Sequence, residues 1–221
     1  MDSRYPVTLE GRLDEPLSRW LWLVKWLVLI PHVIVLAFLW VGVVFAWLGA
    51  LTAILFTGRY PRALFNYNLG VLRWSWRVGF YGYSALGTDH YPPFTLAAVD
   101  DYPATFDVEY PEQLSRGLAL VKWWLLAIPH YLIVGVLLGG FDLTGGSGLV
   151  GILVLISGMF LLIGRRYPGD LFNLIIGCNR WAARVGAYAL LMRDEYPPFR
   201  LDTGPHETHA RPAGAIGQAT S

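Results

Sequence analysis

The sequence is poor in charge, in lysine and in cysteine. Only 15% of its 221 residues are charged, whereas soluble domains average about 25%. The 17 basic residues include just two lysines, Lys25 and Lys122, and the formal net charge of +1 excludes the basic surface that nucleic-acid binding requires. The single cysteine, Cys178, excludes an intrachain disulfide framework, and its apolar neighbours predict a small buried side chain.

Motifs of catalysis and of metal binding are also missing. The sequence contains no phosphate-binding glycine loop, no HExxH zinc motif and no GxSxG nucleophile motif. The histidines of the apolar runs, His32 and His130, have no cysteine or glutamate nearby to complete a zinc site. His206 and His209 in the C-terminal tail are weak metal ligands for the same reason. We therefore predict a protein that is not an enzyme and that has no metal and no cofactor.

Apolar residues, in contrast, make up 55% of the chain. The run 20–57 contains one formal charge, Lys25. A run of this length and composition is typical of a segment embedded in a membrane. The N-terminus is polar and strand-like, so it does not resemble a cleavable signal peptide.

An internal duplication organises the whole sequence. Both halves contain, in the same order, Tyr-Pro, Leu-Ser-Arg, Val-Lys-Trp, Ile-Pro-His, Arg-Tyr-Pro, Leu-Phe-Asn and Tyr-Pro-Pro-Phe. The duplication predicts a first repeat at 1–98 and a second repeat at 99–202. A tail at 203–221, rich in Gly, Ala, Thr and Pro, is predicted to be disordered. A residue type that recurs in both copies serves something that both halves need.

The spacing of equivalent residues predicts where each apolar run turns. His32 and His130 are 98 positions apart, but Tyr60 and Tyr167 are 107 apart, so the second copy has gained nine residues. The glycine-rich segment 139–148 suits such an insertion, and its equivalent in the first copy lies near Gly42. We therefore expect a helical hairpin in each copy. The expected arms are 17–41, 43–57, 114–138 and 149–163. Because the second arms are short, the hairpins either cross a thinned bilayer or are re-entrant.

The basic residues predict the orientation in the membrane. No lysine or arginine lies at a hairpin tip, and they cluster before the first arm and after the second arm in both copies. Basic residues next to membrane segments stay on the cytoplasmic side. We predict a multi-pass protein of the bacterial cytoplasmic (inner) membrane with both termini in the cytoplasm and both copies oriented alike. A less favoured alternative sends a third helix of each copy through the membrane, which would invert the second copy.

After each hairpin, a helical pattern begins at Pro61 or Pro168, a position where proline costs no hydrogen bond. One face of each helix is predicted to hold an asparagine, a glycine and two arginines: Asn66, Gly70, Arg73 and Arg77 in the first copy, and Asn173, Gly177, Arg180 and Arg184 in the second. Such an amphipathic helix is typical of the membrane interface. The arginines either only anchor the helix or, together with the asparagines, bind a lipid phosphate or another anion.

Four short runs of alternating polarity, at 7–10, 94–96, 105–109 and 199–201, predict β-strands in one small cytoplasmic sheet. The predicted fold class is therefore mainly α and integral to the membrane. It consists of two tandem repeats, each with a strand, a transmembrane helical hairpin, an amphipathic interfacial helix and a second strand.

Polar residues inside the apolar runs are candidates for function. The proline of each Ile-Pro-His motif predicts a break or kink in the helix. His32 and His130 would serve proton transfer, gating or metal binding, or would be neutral histidines bonded to the carbonyl that the proline frees. Lys25 and Lys122 are expected to extend to the cytoplasmic interface.

An aspartate precedes Tyr-Pro-Pro-Phe by a short spacing in both copies, as Asp89 and Asp194. These carboxylates could pair with the arginines of the amphipathic helices. The simpler interpretation, that each caps a turn, is favoured.

The series Tyr-Pro, Leu-Ser-Arg, Ile-Pro-His, Arg-Tyr-Pro-x-x-Leu-Phe-Asn, Arg-Trp, Arg-Val and Tyr-Pro-Pro-Phe resembles a bacterial membrane family known only as a domain of unknown function, of the 4389 type, here in tandem. The resemblance extends over nearly the whole chain outside the tail. It implies a short membrane protein and supplies no activity.

These observations predict a non-enzymatic integral inner-membrane protein, a scaffold or accessory subunit. Its expected partners are membrane lipids, anionic headgroups among them, or another membrane protein. The alternative is a small transporter or channel subunit that uses His32 and His130. The sequence does not define the oligomeric state.

Overall fold

The computed structural model of the protein describes residues 5–139, 148–164 and 166–204. Within these ranges lie two strands and seven α-helices: β1 Val7–Gly11, α1 Lys25–Val28, α2 Ile30–Thr57, α3 Arg62–Tyr81, β2 Ala104–Val108, α4 Arg116–Val121, α5 Ile128–Leu138, α6 Leu149–Gly164 and α7 Gly169–Ala189. A 3-10 helix, Leu21–Leu23, precedes α1, and a π-helix, Lys122–Leu126, joins α4 to α5. The tail predicted to be disordered lies outside the described residues from position 205 on, and so do His206 and His209.

The first apolar run is one continuous helix from Ile30 to Thr57, so the hairpin predicted near Gly42 is wrong. Helix α2 has 28 residues, and Gly42 lies inside it. No polar or turn-forming sequence interrupts the run there, so the helical hydrogen bonds continue. The chain turns only after Gly58, which ends α2 in the left-handed conformation at φ 71°. Helix α3 then returns along α2, and the Tyr67 hydroxyl donates to the Leu39 carbonyl oxygen at 2.8 Å.

The predicted break at the prolines is confirmed in both copies. Helices α2 and α5 each begin one residue before the proline, Pro31 or Pro129. The missing N–H of proline costs nothing in the first turn of a helix. In the second copy the segments Arg116–Leu126 and Ile128–Leu138 meet at an angle of 45°.

In the second copy, α5 and α6 take the places of the two halves of α2. His130 of α5 bonds to α7 as the equivalent histidine of α2 bonds to α3, and α6 packs along the same helix α7. Gly148, just before α6, lies directly against the backbone of Gly139, just after α5. The inserted residues 140–147 lie outside the described part of the chain.

The sheet consists of one strand from each copy, so two of the four predicted strands are confirmed. β1 and β2 pair antiparallel, and Leu9 lies opposite Phe106, its equivalent in the other copy. A local twofold axis therefore passes between these two residues. Both point to the buried face of the sheet, so the axis is perpendicular to the sheet and relates helices that lie on the same face.

The strands predicted at 94–96 and 199–201 are wrong. The Thr95 N–H donates to the Pro93 carbonyl oxygen at 3.0 Å, and the Arg200 N–H donates to that of Pro198 at 2.9 Å. Local turns after the two Tyr-Pro-Pro motifs thus use the backbone groups that strand pairing would need.

Helices α3 and α7 form a middle layer between the sheet and the apolar helices. Each packs against the strand of the other copy, α3 on β2 and α7 on β1. The apolar core is continuous across this exchange and includes Leu9, Phe80, Phe106 and Ile176. Neither copy therefore completes its core without the other.

The outer face of the apolar helices is exposed. Phe38 and Phe45 of α2 are 75% and 70% exposed, and Ile163 of α6 is 79% exposed. Among the described residues, one helix, Ile30–Thr57, is long and apolar enough to cross a membrane, and the bent pair Arg116–Leu126 and Ile128–Leu138 makes two if it is one span. In the most apolar window of α2 only 22% of the residues are buried, so α2 lies largely exposed on the outside of the molecule.

The tyrosine of each Arg-Tyr-Pro motif connects the two copies. The Tyr60 hydroxyl donates to the Leu190 carbonyl oxygen at 3.3 Å, and the Tyr167 hydroxyl donates to that of Ala85 at 2.7 Å. Both side chains are buried, and burial raises the pKa of Tyr60 and of Tyr167 to about 12.

We expect alkaline pH to destabilise the fold through these two tyrosines. An unfolded chain loses the tyrosine proton near pH 10, whereas the folded chain keeps it until about pH 12. Between these values the folded state binds more protons, so the free energy of unfolding falls as pH rises, by on the order of 2–3 kcal/mol for each group. Unfolding of the detergent-solubilised protein, followed across this interval, should show a shallower pH dependence for Tyr60→Phe/Tyr167→Phe. An unchanged slope would contradict the assignment.

We also expect deletion of residues 140–148 to be tolerated. The deletion joins Gly139 to Leu149, the equivalents of consecutive residues in α2, and loop length contributes little to stability. The free energy of unfolding should change by less than about 1 kcal/mol. Deletion of nine residues from α2, 38–46, is the control of equal length and should prevent folding. Loss of folding in both variants would show that α5 and α6 do not replace the halves of α2.

Candidate functional site

A buried lysine joins the start of the first apolar run to the segment after α3. Lys25 is 1% exposed, and its Nζ lies 2.9 Å from Asp89 Oδ1 and donates to the Thr88 carbonyl oxygen at 2.6 Å. The ammonium group is also 4.4 Å from the ring centroid of Tyr81. The second carboxylate oxygen, Asp89 Oδ2, accepts the backbone N–H of Ser18 at 2.5 Å.

The second copy repeats this cluster around Lys122, which is 0% exposed. Its Nζ lies 2.6 Å from Asp194 Oδ1, and Asp194 Oδ2 accepts the Ser115 N–H at 2.6 Å. The expectation that the lysines extend to the interface is therefore wrong, because a buried ammonium requires a counter-charge. Asp89 and Asp194 pair with the lysines and not with the arginines of α3 and α7. The joint recurrence of Val-Lys-Trp and of this aspartate was the signal in the sequence.

His32 lies inside a cage of aromatic rings. Its Nδ1 accepts a hydrogen bond from Trp74 Nε1 at 3.0 Å. Its ring stacks on Phe94 with centroids 3.9 Å apart and lies 4.8 Å from that of Tyr91. The histidine thus holds the Tyr-Pro-Pro-Phe segment against the start of α2.

His130 has the same environment in the second copy. It accepts a hydrogen bond from Trp181 Nε1 at 3.2 Å and stacks on Phe199 at 4.3 Å. Both histidines are 0% exposed, and each is enclosed by residues of its own copy. They bond to indole groups, so the predicted bond to the carbonyl freed by proline is wrong. A role of the pair in transport remains a prediction.

The arginine faces of α3 and α7 point into the protein. Arg73 Nε donates to the Phe106 carbonyl oxygen at 3.0 Å, and Arg180 Nε donates to that of Leu9 at 2.9 Å. The two acceptors are the residues paired on the twofold axis. The arginine faces of α3 and α7 are therefore covered by the sheet, and the location of these helices at the membrane interface remains a prediction.

The second arginine of each helix has a different partner in each copy. Arg77 donates to the carbonyl oxygens of Ala97, at 2.8 Å, and of Thr95. Arg184 forms an ion pair of 2.5 Å with Asp202. Burial lowers the pKa of Arg77, because desolvation disfavours its charged form.

Anion binding by the arginines remains a prediction. Of the two asparagines on the same helix faces, Asn66 is exposed and Asn173 is half-buried. A pocket of about 180 Å³ lies between α3 and β2, lined by Arg73 and Arg77 on one side and by Asp100 and Asp107 on the other. The arginines of α7 do not line this pocket, so the four predicted arginines do not form one site.

The described ranges contain no cluster of three or more His, Cys, Asp or Glu side chains placed to hold a metal ion. Cys178 is buried, as predicted, and burial raises the pKa of its thiol.

We expect Asp89→Asn to destabilise the protein strongly, because it leaves the buried ammonium of Lys25 without its counter-charge. The expected loss in the free energy of unfolding is about 3–5 kcal/mol, measured by denaturant unfolding in detergent. Asp101→Asn, at an exposed position, is the matched control. The double variant Lys25→Met/Asp89→Asn should lose less than Asp89→Asn alone. Equal stability of Asp89→Asn and Asp101→Asn would contradict the structural role of the pair.

The duplication corresponds to two copies of one known domain. The family model described as domain of unknown function (DUF4389) matches residues 19–95 and again residues 119–200. Neither the search of curated proteins nor that of solved structures yields a match. The two matched regions begin before each buried lysine and end after each Tyr-Pro-Pro-Phe motif, so they contain both polar clusters. The chain therefore belongs to the DUF4389 family and holds two tandem copies of its domain.

Proposed function

We propose that the protein is a non-enzymatic scaffold in the bacterial cytoplasmic membrane that binds membrane lipids, anionic headgroups included, or a membrane-protein partner. The observation that supports this function is the separation of the two faces of the molecule. Large apolar side chains are exposed on α2, α5 and α6, and the opposite side is a sheet with polar outer residues. Apolar surface of this extent is typical of contact with acyl chains.

The local twofold axis supports a common orientation of the two copies. Because it is perpendicular to the sheet, both sets of apolar helices lie on the same side, and both copies enter the bilayer from the same leaflet. The sheet and both termini then lie on the cytoplasmic side, where the arginines at 59, 62 and 116 would meet the headgroups.

The use of the polar side chains supports a scaffold more than an enzyme. Lys25 and Lys122 are occupied by aspartates, and His32 and His130 are held by indole groups and stacked rings. These groups connect segments within each copy. Such connections make each copy rigid, and a rigid surface is suited to binding lipids or a partner protein.

Cysteine labelling tests the orientation. The native Cys178 is fully buried, so a single new cysteine dominates the reaction with a membrane-impermeant maleimide. Thr105→Cys, on the exposed face of β2, should react only after the cells are permeabilised. Phe45→Cys, on the exposed face of α2, is the control within the bilayer and should stay unreactive until detergent is added.

Three outcomes would contradict the proposal. Labelling of Thr105→Cys in intact cells would place the sheet outside the cytoplasm. Rapid labelling of Phe45→Cys in membranes without detergent would show that α2 faces water. Release of the protein from membranes by alkaline carbonate would exclude integral insertion altogether.

A further inference from the structure

The two copies differ at one point of the arginine network. In the second copy, the Asp202 carboxylate lies 2.5 Å from Arg184 Nη2 and accepts from Arg200 Nε at 3.0 Å. Counted from Tyr-Pro-Pro-Phe, the equivalent of Asp202 in the first copy is Ala97, and the equivalent of Arg200 is Thr95. In the second copy, the Asp202 carboxylate compensates the charge of the buried Arg184. The first copy has no carboxylate at the equivalent position.

Arg77, the equivalent of Arg184, is nevertheless buried. It is 2% exposed, and it donates to two carbonyl oxygens, those of Ala97 and Thr95. Its Nε is buried and has no hydrogen-bond partner among the described residues. A guanidinium has five N–H donors, and a buried charge that carbonyl groups alone solvate is costly. Arg77 thus has donor capacity and charge left for an anion.

The neighbouring charges do not supply this anion. Asp107 is 2.6 Å from Arg73 Nη2, so its charge is already paired. Asp100 lines the same pocket from an exposed loop position.

The space for a ligand is present beside Arg77. The pocket between α3 and β2 has a volume of about 180 Å³ and is lined by Arg77, Arg73 and Ala98. Since one water occupies about 30 Å³ of liquid volume, this space is sufficient for a phosphate or carboxylate group. No equivalent ligand is needed in the second copy, because Asp202 provides the anion from within the chain.

We propose that the first copy binds one small oxyanion, a phosphate or carboxylate group, at Arg77 and Arg73, in the role that the Asp202 carboxylate has in the second copy. Guanidinium groups pair with such oxyanions through parallel N–H donors. The group comes either from a phospholipid headgroup or from free anion in the cytosol. This inference assigns the proposed ligand binding to one site. If the anion is a lipid headgroup, the inference rests on the proposed function.

Ala97→Asp tests the site without removing an arginine. The new carboxylate reproduces the second copy and should neutralise Arg77 from within. Inorganic phosphate, titrated against the detergent-solubilised full chain, should raise the unfolding temperature of the wild type. For Ala97→Asp we expect apparent phosphate affinity at least tenfold weaker and higher stability without phosphate. Ala63→Asp, at an exposed position of α3, changes the net charge equally and should keep the phosphate response.

Lipid nanodiscs separate the two sources of the ligand. If a headgroup is bound, nanodiscs of phosphatidylglycerol should stabilise the wild type more than nanodiscs of phosphatidylcholine, and Ala97→Asp should abolish the difference. If free anion is bound, phosphate should act equally in both nanodiscs. Either pattern supports the site, and an equal response of wild type and Ala97→Asp to phosphate and to both lipids overturns it.

The reciprocal variant provides an independent test. Asp202→Ala removes the internal carboxylate and should create a second phosphate site, so its loss of stability should be partly restored by phosphate. If Asp202→Ala is not restored and Ala97→Asp binds like the wild type, the inference is wrong. In that case, the proposed scaffold function would still stand if carbonate extraction leaves the variants in the membrane fraction.

Discussion

A cationic side chain that is buried on folding needs a counter-charge or hydrogen-bond acceptors inside the protein, and the interior of each copy meets this requirement. A buried lysine holds the aspartate that precedes Tyr-Pro-Pro-Phe, and the arginines of the middle helix hold carbonyl oxygens of strands and loops. Each cation thereby fixes a backbone segment that has little apolar surface of its own. Helices, strands and irregular segments are connected at these points, and the apolar core fills the space between them.

Local signals in the sequence are sufficient to predict much of the fold. Proline defined the starts of α2, α3, α5 and α7, because its effect on backbone hydrogen bonding depends only on its position in the helix. Alternating polarity identified β1 and β2. The hairpin predicted near Gly42 is wrong because an insertion in the second copy does not imply a turn at the equivalent point of the first. An insertion shows only that a site tolerates extra residues, and a helix interrupted in one copy can be continuous in the other.

The candidate site was predicted less completely, since its contacts join residues far apart in sequence. The recurrence of Lys25 and Asp89 was visible, but their pairing depends on how α3 turns back along α2. The arginines of α3 and α7 were correctly placed on one helix face. The sequence did not predict that these faces point into the protein, because the strand that covers each face belongs to the other copy. Periodicity reports which residues share a face and does not report what the face contacts.

The exchange of strands between the copies has a consequence for assembly. Arg73 of one copy holds Phe106, and Arg180 of the other holds Leu9, so each helix depends on a strand from elsewhere in the chain. Because both copies are in one polypeptide, every strand is tethered beside the helix that it covers, at a high effective concentration. Completion of the domain therefore does not depend on the concentration of the protein.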